Sequence, residues 1–206
     1  MAFEHPGLRD NGRGNVIEIH PTAKIDASVN IRIDGNENIL KIGEKVILRG
    51  MNIIFSGDKN VAEVGPGCNL RGAFHLRQTG SRLFVGAGTT FVGAHLFAME
   101  GRAIDIGEDC MFSANIFVRT SDEHSILDIE TLERLNKAQD VTLGRHVWVG
   151  EGVTVSKGVK IADGCVIGAR SYVSKSLTRA NAIYAGAPPR LIREGIKWDR
   201  KLLSQS

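Results

Sequence analysis

The segment Arg119-Thr120-Ser121-Asp122-Glu123-His124-Ser125 sets an imidazole directly behind two carboxylates. Imidazole titrates near pH 6.5, so His124 can take a hydroxyl proton at neutral pH. Asp122 and Glu123 could orient the ring and favour the imidazolium that forms, as a carboxylate does in a catalytic triad. A solvated polar loop holding one histidine would give the same string, and the residues alone leave both readings open. The other five histidines compete less well: His5 and His20 belong to the N-terminal start, and His75 and His146 are expected at outward or corner positions. His95, four residues after Phe91, is expected to point inward as a core imidazole.

The elements that must hold this segment are written in a period of six. Leu143, Val149, Val155, Ile161, Ile167 and Val173 recur at every sixth residue, and Val147, Val153, Val159, Cys165 and Ser171 follow the first five at an offset of four. Six is neither the 3.6 of an amphipathic helix nor the two of a half-buried strand, and it marks a solenoid of very short strands. A small residue follows each aliphatic (Gly144, Gly150, Ser156, Ala162, Gly168, Ser174), where the backbone is expected to bend tightly. Upstream, Ile42-Gly43, Val64-Gly65, Val85-Gly86 and Ile106-Gly107 lie 22, 21 and 21 residues apart, three hexapeptides plus an elaborated turn. Three hexapeptides per coil predict a triangular prism of parallel strands.

The rhythm fails once. After Val118 the next aliphatic-glycine pair is Leu143-Gly144, so residues 124–142 are expected to leave the prism as a loop, and such excursions from a rigid frame commonly carry function. The domain reading is a flexible lead-in over 1–15, the prism over 16–193 and a charged tail over 194–206 with a short C-terminal helix capping the stack. Cys68, Cys110 and Cys165 occupy the buried slot four residues after an aliphatic; three are too few, and odd in number, for a disulfide framework.

Of the 206 residues, 24 are Gly and only 5 Pro, with 6% aromatics, which suits repeated bends and aliphatic stacking. No run approaches the roughly 18 apolar residues that span a bilayer, and the N-terminus lacks a signal-peptide stretch, so a cytoplasmic protein is expected. The net charge of +3 is uneven: residues 151–206 hold ten Lys or Arg against four acids, which leaves the rest net negative. Without interleaved aromatics this basic quarter argues against nucleic acid and for a phosphate-bearing small molecule.

The run VWVGEGVTVSKGVKIADGCVIGARSYV, followed by AIYAGAPPRLIR, resembles the hexapeptide-repeat acyltransferases, and most of all those that O-acetylate sugars or capsular polysaccharides. The resemblance covers roughly residues 19 to 193, with Pro189 standing where the family has Ala. It implies a left-handed parallel β-helix, a homotrimer with sites between subunits, and acetyl-CoA as co-substrate. It further implies His124 as the base for direct attack of a sugar hydroxyl on the thioester, with Asp122 and Glu123 beside it. Trp148 would border the acceptor or pantetheine groove. Gly150, Ser156, Gly168 and Ala169 would offer backbone edges to coenzyme A, and Arg170, Lys175 and Arg190 cations for its phosphates. An N-acetyltransferase of an amino sugar or antibiotic shares this fold, cofactor and base, and a β-helix scaffold without catalysis shares the fold alone. Zinc through His75, His95 and His124 would need imidazoles converging from neighbouring coils. With His75 expected to face out and His95 in, no metal is expected.

Overall fold

The structure is a computed structural model that describes residues 4–204, and among these are 22 strands and no helix. Each coil passes through three faces. The first face stacks Lys24–Ile25, the openings of the long strands Ile47–Ser56 and Asn69–Arg77, then Thr90–Phe91, Met111–Phe112, Trp148–Val149, Val166–Ile167 and Ala182–Gly186. The second stacks Leu8–Asp10, Asn30–Ile33, the remainders of the two long strands, Ala94–Met99, Ile116–Arg119, Thr154–Val155 and Tyr172–Val173. The third runs from Val16–Ile19 through Ile39–Ile42, Val61–Val64, Arg82–Val85 and Ala103–Ile106 to Val141–Leu143 and Lys160–Ile161. All these pairings are parallel, and the fold is a left-handed parallel β-helix.

Register follows from the inward side chains. On the second face Ile31, Ile53, Phe74, Leu96, Val118 and Val155 lie one above another, all fully buried. Slipping one strand by a residue would turn its aliphatics to solvent, at about 1.5–3 kcal/mol for each large side chain exposed. Asparagine ladders fix the elaborated coils: Asn38 Oδ1 accepts from Asn60 N at 2.9 Å and Asn60 Oδ1 from Ser81 N at 2.7 Å, inside a core where neither Asn is exposed.

The structure differs from the sequence reading in several places. The left-handed backbone lies at Gly152, Gly158 and Gly164 (φ +70, +74 and +68), three residues after each aliphatic. The small residues directly behind the aliphatics answer to coil spacing instead, since a Cβ at Gly150 would lie 2.7 Å from Ile167 O. The expected flexible lead-in over 1–15 is in part the first coil: Leu8–Asp10 pairs with Ile31–Ile33, while residues 1–3 fall outside the described residues. No C-terminal helix forms over the described part of 194–206. Ala182–Gly186 and Pro189–Glu194 make an antiparallel hairpin, Gly195 turns the chain at φ +67, and Ile196 N–H is taken by Asn181 O, so tertiary pairing displaces local helix formation. The chain then crosses back as a strap. Trp198 stacks on His146 at 3.9 Å, and Arg200 bonds Asp109, Thr90 and Cys110 O.

Candidate active site

The excursion begins at Thr120 and returns at Val141, two residues earlier than the spacing predicts. Its base is closed by Gln139 N–H donating to Thr120 O at 2.9 Å, and Thr120 Oγ1 is locked between Met99 N and Met99 O. Glu100 then grips the loop from the coil below. Arg134 donates to both its oxygens at 2.5 and 2.9 Å, and Ser121 Oγ bonds it as well. Those contacts hold the Glu100 carboxyl at about 2, far below the usual carboxylate value, with the Arg134 bonds the larger cause.

Asn136 organises the entrance. Its amide donates to His124 O at 2.8 Å and to Asp122 Oδ2 at 2.9 Å, while its own side-chain oxygen accepts Ile126 N–H at 2.7 Å. Lys157, largely buried, pairs with Asp122 and donates to Asn136 O at 3.0 Å. The Lys157 bond is the main reason the Asp122 carboxyl is held below its ordinary value. Glu123, at φ +65, pairs with Arg77 at 2.6 Å. Both carboxylates therefore brace the loop rather than the imidazole, which corrects the expectation that they orient His124. The His124 ring is exposed and makes no hydrogen bond among the described residues.

The other candidates separate by face. Trp148 projects from the first face, half-exposed, with its ring 6.0 Å from Trp198 of the strap, whereas the loop leaves from the end of the second face. One chain therefore does not join Trp148 and His124 on a single face. The N–H groups of Gly150, Ser156 and Gly168 are consumed by Ile167, Val173 and Tyr184 carbonyls at 2.7–2.9 Å, so the expectation that they are free for a cofactor fails for the donors. Ala169, Arg170 and Lys175 are exposed around the last coil, and Arg190 is exposed on the outer strand of the hairpin.

His95 points outward, contrary to expectation. Five residues rather than six separate inward Phe91 from inward Leu96, so the shortened corner puts Ala94 and Leu96 in the core and His95 on the second face, stacked on Phe117 at 5.2 Å. His75 stacks on Phe97 at 4.5 Å, and burial lowers its pKa. Arg119 lies over the same Phe97, 5.7 Å from its centroid. Beside it opens a cavity of about 300 Å³ lined by Arg119, Asp122, Thr154, Ser156 and Tyr172. A larger concavity of about 730 Å³ lies against the N-terminal coils of the third face and includes no loop residue. The three cysteines are fully buried, and desolvation pushes the thiols of Cys68 and Cys110 up to about 11 and about 12.

Residues 140–175 match the bacterial transferase hexapeptide family, described as six repeats. The chain is 32% identical to a polysialic acid O-acetyltransferase of Neisseria meningitidis across 94% of its own length and 89% of the relative's. Among solved structures it is similar to the polysialic-acid-specific acetyltransferase NeuO (TM-score 0.87, 32% identity, covering 93% of this chain and 88% of that one). It is similar also to the polysialic acid O-acetyltransferase OatWY (TM-score 0.89, 29% identity, 96% and 93%).

Proposed function

Since the chain belongs to the hexapeptide-repeat acetyltransferases, the family of these polysialic acid O-acetyltransferases, we propose that it acetylates a hydroxyl of an acidic polysaccharide from acetyl-CoA with His124 as general base. The observation that carries this reading is the contrast at the loop entrance. Every charged neighbour of His124 is bound to another loop anchor, while its own ring stays exposed and uncommitted on a backbone pinned by Asn136. In the reaction His124 takes the hydroxyl proton as the sugar oxygen forms its bond to the thioester carbonyl carbon. The tetrahedral intermediate collapses with cleavage of the C–S bond, and the imidazolium returns the proton to the departing thiolate. Direct attack fits the cysteines, whose burial keeps them as thiols.

Coenzyme A would take its phosphate cations from Arg170, Lys175 and Arg190, all exposed. Trp148 and His124 lie on different faces, so we place a site containing both between two subunits, in the homotrimer that the resemblance to the family implies. A cytoplasmic setting follows from the donor; among the described residues no helix is long and apolar enough to cross a membrane.

His124→Ala is expected to lower turnover about 10²- to 10⁴-fold, the usual worth of a general base, while the circular dichroism spectrum and acetyl-CoA binding stay unchanged. Release of free coenzyme A thiol in the presence of sialic acid polymer reports turnover, and hydroxylamine lability of the product separates ester from amide. Near-parental turnover by this variant would remove His124 from the mechanism.

A further inference from the structure

Arg119 makes no direct ion pair among the described residues, although its charge helps to lower the pKa of the Asp122 carboxyl. Its Nε is buried and has no hydrogen-bond partner, and no carboxylate lies within ion-pair distance of its guanidinium among the described residues. The nearest acid around the cavity, Asp122, is already bound by Lys157 and Asn136. The guanidinium carbon lies over the Phe97 ring, which is itself stacked on His75.

The space in front of Arg119 has a definite chemistry. Thr154, Ser156 and Tyr172 bring hydroxyls, Tyr172 also brings a half-exposed ring, and the volume of about 300 Å³ is at the small end of ligand pockets, room for about one sugar unit. A planar guanidinium matches a carboxylate bidentately. We propose that Arg119 anchors the carboxylate of an acidic sugar in this cavity, with the sugar ring on Tyr172 and its hydroxyls turned toward the loop entrance. This makes Arg119 the specificity-determining residue for an anionic acceptor, and it rests on the reading of the chain as a polysaccharide O-acetyltransferase. A phosphate of coenzyme A carries the same anionic chemistry. The carboxylate is favoured because the cavity offers one cation among hydroxyls and an aromatic ring, its Asp122 carboxylate being offset by Lys157, while the exposed cations Arg170, Lys175 and Arg190 lie elsewhere, around the last coil and on the hairpin.

The test compares oligosialic acid with the same oligomer after reduction of its carboxylates to alcohols, using the full chain, Arg119→Met and Arg119→Lys. Arg119→Met is expected to raise the KM for oligosialic acid about 10- to 100-fold, the worth of a charge-assisted hydrogen bond, with kcat and the KM for acetyl-CoA within about twofold. Arg119→Lys should fall between, and all three proteins should treat the reduced oligomer alike. Calorimetry of oligosialic acid binding to His124→Ala, with and without Arg119→Met, gives the same comparison without turnover. A rise in the acetyl-CoA KM would assign the anion to coenzyme A and overturn the proposal. Equal losses on both oligomers, or loss of assembly by light scattering, would mark Arg119 as structural and overturn it too. Parental activity toward both oligomers that Arg119→Met leaves untouched defeats this inference alone, whereas a parent protein that acetylates neither defeats the O-acetyltransferase reading beneath it.

Discussion

At the scale of single residues, the entrance depends on Lys157. Its ammonium holds Asp122 and Asn136 O, and Asn136 in turn holds His124 O, so one side chain from a regular coil fixes the backbone of the proposed base. Lys157→Met is expected to cut turnover about tenfold through misplacement of His124, because small errors in the position of a catalytic group are costly. The acetyl-CoA KM and the circular dichroism spectrum should not change. Turnover equal to the parent would mean that the entrance keeps its shape without the pair. Lys157 carried no signal in the sequence: it stands two residues after Val155 in a strict repeat, where a solvated lysine would look identical.

At the scale of elements, the loop is tied down by charge. The Glu100 carboxyl, lowered to about 2 by Arg134 and Ser121, has a folded pKa below its usual 4.5; its stabilisation is therefore present above about pH 4.5 and is lost as the pH falls toward 2. Pepsin cleavage near Leu127, Leu132 and Leu135 should accelerate over that window ahead of cleavage in the prism, and Glu100→Gln should cleave readily at the top of the window as well. A flat pH response in the parent would rule out Glu100 as the clasp. The prism itself was legible because each strict hexapeptide puts its aliphatic in a fully buried ladder, and both Val147 and Val153 of the offset-four slot are buried as the spacing requires. The loop's place was legible too, as a missing beat. What the spacing could not carry were contacts between remote residues, such as Arg134 with Glu100 or Arg77 with Glu123, and the shortened corner that turned His95 outward. The strap escaped for the same reason: apolar residues among charges suit a helix as well as an extended chain, and Trp198 chose the His146 ring.

At the scale of the molecule, the loop exposes more apolar surface than a solvated segment needs. Ile126, Leu127, Ile129, Leu132 and Leu135 are all exposed, Ile129 at 92%. Exposed apolar clusters mark interaction surfaces, and a second copy of the chain is the partner the proposed site needs. Leu132→Glu is expected to shift the protein from the proposed trimer toward monomer in size-exclusion light scattering, with turnover falling in step. A monomeric parent of full activity would contradict the shared site. Whatever the assembly, the prism can tolerate great change in this loop. Its two ends are joined by the Gln139 N–H to Thr120 O bond, and on either side Val118 and Leu143 sit in ladders paired with the coils before and after. The excursion is thus a cartridge in a fixed socket: a change in its length or sequence leaves the register of the coils alone, so the rim of the proposed site can be remodelled while Arg119 and the coil residues around its cavity keep their places.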